Sequence, residues 1–261
     1  MNGMKPGKRI IEREFGVPFP GEIQEPANWT RTALKQLPTS GRLNWTEVFG
    51  RVAPIILDLG CGNGRALIQS AWWRRDCDHL GIDILPVVIR YATRRANQRG
   101  LANIRFAVAE ARDFLHRLVP VHSVTEVHLY HPQPYYDIAE IHRRLITPEF
   151  LLLVHRSLIL GGQFFIQTDN PGYWRYIRSV VPLFFQFEER TEPWPDAPKG
   201  RTRREIIALK RGLPVFRGVG RARIDLDEAA ARRLADDLPP PLFDADRRLR
   251  DLDIAESRIR E

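Results

Sequence analysis

The residues with the clearest chemical potential surround a glycine-rich turn. In the segment 55–64, IILDLGCGNG, the apolar run contains Asp58, and Gly60, Gly62 and Gly64 follow it at every second position. Glycines let a turn tighten and let a ligand approach the backbone. The helix expected from residue 65 onwards directs its first N–H groups at that ligand. The segment therefore predicts a strand–turn–helix unit that binds a nucleotide-like ligand.

The acid that precedes the glycines separates two classes of ligand. Dinucleotide sites use G-x-G-x-x-G and place a pyrophosphate on the helix N-terminus. The segment 58–64 instead reads D-x-G-x-G-x-G. An anion at Asp58 would repel a pyrophosphate, whereas it would attract the ammonium group of S-adenosylmethionine. We therefore expect a site for this methyl donor.

Strands and helices alternate along the chain from residue 55, which indicates parallel strands joined by crossover helices. We predict an α/β fold of the class I methyltransferase (Rossmann-like) type, with a doubly wound, mostly parallel seven-stranded sheet and helices on both faces. The predicted strands cover 55–58, 79–83, 104–108, 124–129, 164–167, 184–188 and 205–209. The predicted domains are an N-terminal extension, 1–50, with a short helix near 31–36, a methyltransferase domain, 51–222, and a charged tail, 223–261.

Ligands of such sheets bind beyond the carboxyl ends of the strands. Acidic residues lie at several of these ends: Asp58, Asp83, Glu110 and Asp169. An acid about twenty residues after the glycine turn, as Asp83 is, can accept hydrogen bonds from the hydroxyls of a ribose. A single acid at a strand end is often a turn residue or a helix cap, but three on consecutive strands behind a glycine turn favour a donor site.

Composition and charge restrict the partners. The chain has 261 residues, a net charge of +8 and two cysteines, which give no disulfide framework or metal-ligand spacing. We expect no metal, no membrane segment and a cytoplasmic location. Residues 199–223 contain nine basic residues against one acid, Glu205. Such a segment suits a polyanion, although it is equally typical of a solvated face.

The segment 142–170, HRRLITPEFLLLVHRSLILGGQFFIQTDN, is similar to the matching stretch of the bacterial tRNA (guanine-N(7)-)-methyltransferase family. The resemblance extends back through LDLGCGNG, LGID and LANIRF, and forward to GRTRRE at 200–205. It covers roughly residues 53–220. The resemblance implies methylation of guanine at N7 in tRNA, at position 46 of the variable loop. It implies S-adenosylmethionine as the cofactor and tRNA as the partner. Both a monomer and a homodimer stay open as the oligomeric state.

The resemblance also implies roles for individual residues. It implies donor contacts from Asp58, Gly60, Gly62, Asp83 and Glu110, and substrate contacts from Asp169, Thr202 and Glu205. To the donor contacts we add Ile84 and Ala111. To the substrate contacts we add Asp137 and the arginine pair that the family shares, Arg143 and Arg144, and we predict catalytic roles for Gln133 and Asp169.

The loop 130–137, YHPQPYYD, departs from the family. It keeps two prolines and an aromatic residue, but Gln133 replaces the family aspartate and Asp137 replaces a lysine. Arg204 also stands where the family usually has Phe. The N7 atom has a free lone pair, so positioning and electrostatic stabilisation suffice and no base is needed. Gln133 can still form hydrogen bonds, but it carries no charge.

Two alternatives stay open from the sequence. The changed loop loosely resembles the Asp/Asn-Pro-Pro-Tyr loop of exocyclic-amino methyltransferases, which favours a different acceptor. A non-catalytic RNA-binding relative is the second alternative, and the retained acids Asp58, Asp83, Glu110 and Asp169 argue against it.

Overall fold

The computed structural model describes residues 11–257 and contains a mixed seven-stranded sheet. Its strand order is β5-β4-β3-β6-β7-β9-β8, in which β5, β4, β3, β6 and β7 are parallel and β9 is antiparallel to both of its neighbours. The fold class predicted from the sequence is confirmed. The strands, including a short separate hairpin of β1 and β2, are β1 Arg13–Glu14, β2 Val17–Pro18, β3 Ile55–Leu59, β4 Asp78–Asp83, β5 Ile104–Val108, β6 Val124–Tyr130, β7 Leu158–Thr168, β8 Phe185–Arg190 and β9 Phe216–Ala222.

Helices cover both faces of this sheet. They are α1 Trp45–Phe49, α2 Arg65–Trp73, α3 Pro86–Gln98, α4 Ala111–Asp113, α5 Pro148–Ser157, α6 Pro171–Phe184, α7 Arg203–Lys210, α8 Glu228–Asp237 and α9 Arg250–Ser257. On one face, α2 and α3 pack on Ile56, Ile104 and Phe106. On the other face, α5 and α6 pack on Leu57 and Leu59. No helix in the described range is long and apolar enough to cross a bilayer.

The seventh strand predicted from the sequence was wrong. The segment 205–209 lies in α7, because Thr202 caps the helix by accepting a hydrogen bond from the Glu205 backbone at 3.1 Å. The strand that completes the sheet is β9, which is rich in glycine and arginine. A Cβ at Gly218 would lie 2.2 Å from the ring of Phe187, so the glycine is needed for strand β8 to pack. This packing requirement is not visible in the strand's own pattern.

The segments at both ends pack on the sheet domain. The helix predicted near 31–36 was wrong: this stretch is extended, and Ala33 forms a bridge with Phe106 beside β5. After β9, Ala231 of α8 is buried against the core, and Leu252 of α9 packs with Ile207 of α7. Residues 1–10 and 258–261 of the predicted extension and tail lie outside the described residues.

Candidate donor and acceptor sites at the carboxyl edge of the sheet

The glycine turn after β3 forms an open cradle. The backbone N–H groups of Gly60 and Cys61 each donate to Ile82 O at 2.9 Å, which ties the turn to β4. Gly60 and Gly62 have φ values of 76° and 52°, and a Cβ at either position would meet no atom within 4 Å. A Cβ at Gly64 would lie 2.9 Å from Ala92 Cβ. The first two glycines therefore leave space at the turn, while Gly64 allows α2 and α3 to pack closely.

Asp58 is a buried acid beside this cradle. It is 2% exposed, and its Oδ1 atom has no hydrogen-bond partner. Burial and the charge of Asp83 raise the pKa of Asp58 to about 7, while Arg201 opposes that rise. A buried carboxylate oxygen without a donor is costly unless a ligand supplies one. The position therefore suits a cationic group.

The backbone around Asp83 fixes its carboxylate at the end of β4. Oδ2 accepts from Gly62 N at 3.0 Å, and Oδ1 accepts from Leu85 N at 2.9 Å. The next residue, Ile84, is apolar and 63% exposed. The acid is thus linked directly to the glycine turn.

Glu110 follows β5, the next strand of the sheet. Its Oε2 atom accepts from Asp113 N at 2.8 Å, so the side chain caps the short helix α4, which begins at Ala111. Asp58, Asp83 and Glu110 lie at or just beyond the carboxyl ends of three adjacent parallel strands. The structure therefore places all seven predicted donor contacts on one edge of the sheet, and the orphaned Asp58 oxygen and the open cradle fit S-adenosylmethionine. In the part of the chain that the structure describes, no group of three His, Cys, Asp or Glu side chains could hold a metal.

The loop after β6 is held from inside the protein. Arg144 is 1% exposed and donates to Pro134 O at 2.6 Å, to Tyr135 O at 3.0 Å and to Pro241 O at 2.7 Å. The sequence resemblance implied a substrate contact from Arg144, and this location does not match that expectation. Its guanidinium braces the loop against the C-terminal segment.

Three predicted substrate-side residues remain on the surface of this region. Gln133 is exposed on the loop. Arg143 is exposed, stacks 4.8 Å from the centroid of Tyr135 and pairs with Glu140 at 2.7 Å. Asp137 is exposed, with Arg250 at 3.7 Å. All three side chains are therefore accessible from solvent.

Asp169 at the end of β7 is buried and already paired. Arg204 Nε donates to its Oδ2 atom at 2.6 Å, and His131 Nδ1 lies 3.5 Å from Oδ1. Burial alone would raise the pKa of Asp169, but His131 and Arg204 lower it well below its usual range. The carboxylate is therefore a fixed anion whose position two neighbours determine.

A directional series of hydrogen bonds fixes His131. The Trp194 indole, which can only donate, bonds to Gln167 Oε1 at 2.5 Å. The Gln167 amide nitrogen therefore faces His131 Nε2, at 2.7 Å, and that ring nitrogen must accept. In the neutral ring the proton then lies on Nδ1, directed towards Asp169. His131 also has a φ of 50°, a conformation that non-glycine residues rarely adopt.

Thr202 and Glu205 form a helix cap rather than an open binding pair. Glu205 Oε2 accepts from Arg201 N at 2.7 Å, in the manner of a capping box. Its Oε1 atom accepts from Arg217 Nη2 at 2.5 Å, and both side chains are buried. In this geometry Thr202 and Glu205 fix the start of α7, and their predicted substrate contacts stay a prediction.

The basic segment 199–223 is partly neutralised inside the protein. Three of its nine cations are arginines whose side chains are at most 11% exposed and pair with acids: Arg201 with Asp196, Arg204 with Asp169, and Arg217 with Glu205. The polyanion-binding surface expected from the charge count is correspondingly smaller. Sequence reasoning also missed the pairing of Arg201 with Tyr130 on β6, at 2.7 Å, because no spacing connects residues 71 positions apart.

Comparison with known proteins identifies the family. A family model described as "Putative methyltransferase" matches residues 52–217, more than half of the chain. A tRNA (guanine-N(7)-)-methyltransferase of Saccharophagus degradans is 33% identical over 69% of this chain and 78% of its own length. The protein of the same name from Alcanivorax borkumensis is 31% identical over 73% of this chain and 79% of its own length.

The chain belongs to the tRNA (guanine-N(7)-)-methyltransferase family. The family resemblance described from the sequence is thereby confirmed. Among solved structures, the 16S rRNA methyltransferase KamB superposes with a TM-score of 0.55, 16% sequence identity and coverage of 74% of this chain and 98% of KamB. At this identity the likeness supports the class I fold alone.

Proposed function

We propose that this protein transfers a methyl group from S-adenosylmethionine to the N7 atom of a guanine in tRNA. The similarity to tRNA (guanine-N(7)-)-methyltransferases over about 70% of the chain is the observation that carries the proposal. The unpaired Asp58 carboxylate beside an open glycine cradle supports it from the geometry. The bound donor would supply an electrophilic methyl group.

On the donor side, the acids bind and orient the cofactor. Asp58 accepts hydrogen bonds from the ammonium group, and Asp83, held by two backbone N–H groups, faces the ribose. Gly60 and Gly62 let the ligand approach the backbone, while Ile84, Glu110 and Ala111 line the position of the adenine. This arrangement supplies binding energy and orientation, which are the main requirements for attack by an unprotonated ring nitrogen.

On the acceptor side, the loop 131–137 presents guanine to the methyl group. Gln133 offers a carbonyl oxygen as acceptor and an NH₂ group as donor to the base edge. Asp169 supplies a fixed negative charge that stabilises the cationic product. Arg143 and Asp137 contact the RNA at the loop surface. Thr202, Glu205 and Arg144 act indirectly, because they fix α7 and the loop.

The finer assignment is to guanine 46 of the tRNA variable loop in the cytoplasm. A direct test uses the full chain, labelled S-adenosylmethionine and unmodified tRNA transcripts, with mass spectrometry of the nucleosides. We expect 7-methylguanosine in the natural transcript and none in a transcript that carries adenine at position 46. Methyl groups on an exocyclic amine would instead support the alternative acceptor, and donor binding without any methylated tRNA would overturn the proposal.

A further inference from the structure

A buried series of polar side chains runs along one face of β6 and ends at Arg201. Glu126 Oε2 lies 3.0 Å from His128 Nε2, and His128 Nδ1 lies 2.9 Å from Tyr130 Oη. Arg201 Nη1 donates to Tyr130 Oη at 2.7 Å. The pKa of Glu126 is lowered, so its carboxylate can only accept and His128 donates from Nε2. Burial lowers the pKa of His128, so the ring is neutral and its Nδ1 atom accepts from the tyrosine hydroxyl, which in turn accepts from Arg201. Each bond has one consistent direction, so the guanidinium of Arg201 is held in a defined place.

Aromatic rings complete the surroundings of this guanidinium. Its central carbon lies 4.3 Å from the centroid of Trp194 and 6.0 Å from that of Phe165. Asp196, which is largely exposed, accepts from Nη2. The side chain of Arg201 is only 11% exposed, and its Nε atom is buried without a hydrogen-bond partner. One N–H group of a fixed cation is therefore left for a ligand.

The strand register brings Arg201 towards Asp58. On the adjacent parallel strands β3 and β6, Asp58 aligns with His128. His128 bonds to the same Tyr130 hydroxyl that Arg201 contacts, and Asp58 Oδ1 is itself buried without a partner. A buried anion and a buried cation thus lie on one face of these two strands, and each has an unused polar atom. A group that bears both charges would satisfy both atoms.

The amino acid end of the donor is such a group, because its ammonium and its carboxylate are attached to one carbon. With the ammonium at Asp58, the ligand carboxylate would be repelled by that acid unless a cation compensated it. We propose that the Nε–H group of Arg201 binds the carboxylate of the donor's amino acid moiety, so that Arg201 and Asp58 together recognise the zwitterion. This inference rests on the proposed use of S-adenosylmethionine and adds a binding residue from outside the glycine turn.

The test compares two ligands by calorimetric titration of the full chain: S-adenosylhomocysteine and its decarboxylated analogue, which keeps the ammonium and lacks the carboxylate. We expect the unsubstituted protein to prefer S-adenosylhomocysteine by about ten- to a hundredfold, as for one charge-assisted hydrogen bond. Arg201→Met should abolish that preference and leave the affinity for the analogue nearly unchanged. Arg190→Met is the matched control, since Arg190 lies over the same Trp194 ring at 5.8 Å, and it should keep the full preference.

The outcomes separate the inference from the proposed function. An unsubstituted protein that binds both ligands equally, or an Arg201→Met protein that keeps the preference, would overturn the role of Arg201 while leaving methyl transfer in place. If Arg201→Met does not fold, Arg201→Lys should show a reduced preference, because the charge stays and the fixed N–H is lost; an undiminished preference would contradict the inference. Failure of the unsubstituted protein to bind either ligand would overturn the proposed function as well.

Discussion

The carboxyl edge of the sheet has two halves: a donor half at the ends of β3, β4 and β5, and an acceptor half at the ends of β6 and β7 with the adjoining α7. The two halves differ in whether their polar atoms already have partners inside the protein. In the donor half, Asp58 retains an unpaired oxygen beside an open cradle. In the acceptor half, Asp169 and Glu205 are paired with buried arginines, and Arg144 donates its hydrogen bonds to backbone carbonyls. Acids that resemble one another in the sequence therefore divide into those with an unpaired buried oxygen and those paired with arginines inside the protein. The division depends on partners that lie far away along the chain.

The largest expected effect is on the structural pair. Glu205→Gln leaves the buried Arg217 without a countercharge, and we expect it to lower the free energy of unfolding by about 3–5 kcal/mol. Urea denaturation measures this loss. Adding Arg217→Met to the same chain should restore most of the stability, since the uncompensated charge is then removed. Unchanged stability together with lost tRNA affinity would instead place Glu205 on the substrate.

The corresponding change in the donor half should affect binding rather than stability. Asp58→Asn should weaken binding of S-adenosylhomocysteine about ten- to a hundredfold, because a charge-assisted hydrogen bond is lost. The unfolding free energy above pH 7 should not fall, since the substitution removes a buried charge that has no hydrogen-bond donor at Oδ1. Asp113→Asn, at an exposed pair with Arg117, is the control and should leave the affinity unaltered. A large stability loss in Asp58→Asn would remove the distinction between the two halves.

Binding of the donor should also depend on pH. Folding raises the pKa of Asp58 to about 7, so its contribution to stability is fully present below about pH 4 and is lost as the pH rises through about 7. The charged form of Asp58, which a ligand ammonium needs, is instead lost as the pH falls. We expect the affinity for S-adenosylhomocysteine to fall by about tenfold per pH unit well below 7. Asp58→Asn should flatten this profile; a substituted protein that keeps it would assign the titration to another group.

The smallest effect is expected at the exposed loop. Gln133→Asp should change the unfolding free energy by less than about 0.5 kcal/mol, as for an ordinary surface substitution. A charged acceptor adds about 1 kcal/mol to a hydrogen bond, so tRNA methylation should rise about fivefold. Single-turnover methyl transfer measures this gain, with Gln133→Glu as the geometric control. A decrease with Asp would mean that the loop is adapted to another acceptor.

Local patterns predicted the donor half because its geometry is encoded in adjacent residues. The spacing of Gly60, Gly62 and Gly64 after Asp58 is enough to specify the strand, the turn and the helix. The acceptor half was less predictable because its contacts join distant positions: Arg204 reaches Asp169 across 35 residues. The misassigned segment 205–209 has two causes. The capping box of Thr202 and Glu205 is a local signal for a helix that the prediction did not use, whereas the packing of Phe187 on Gly218 of β9 joins distant positions.

A crystal structure of the full chain with S-adenosylhomocysteine would test the division between the two halves most directly. We predict that the ligand ammonium lies within hydrogen-bond distance of Asp58 Oδ1, and that the pairs Asp169–Arg204 and Glu205–Arg217 stay closed. Two results would contradict this division. The ligand could be bound elsewhere, or the Asp58 oxygen could stay unpaired while either arginine pair opens to receive the ligand.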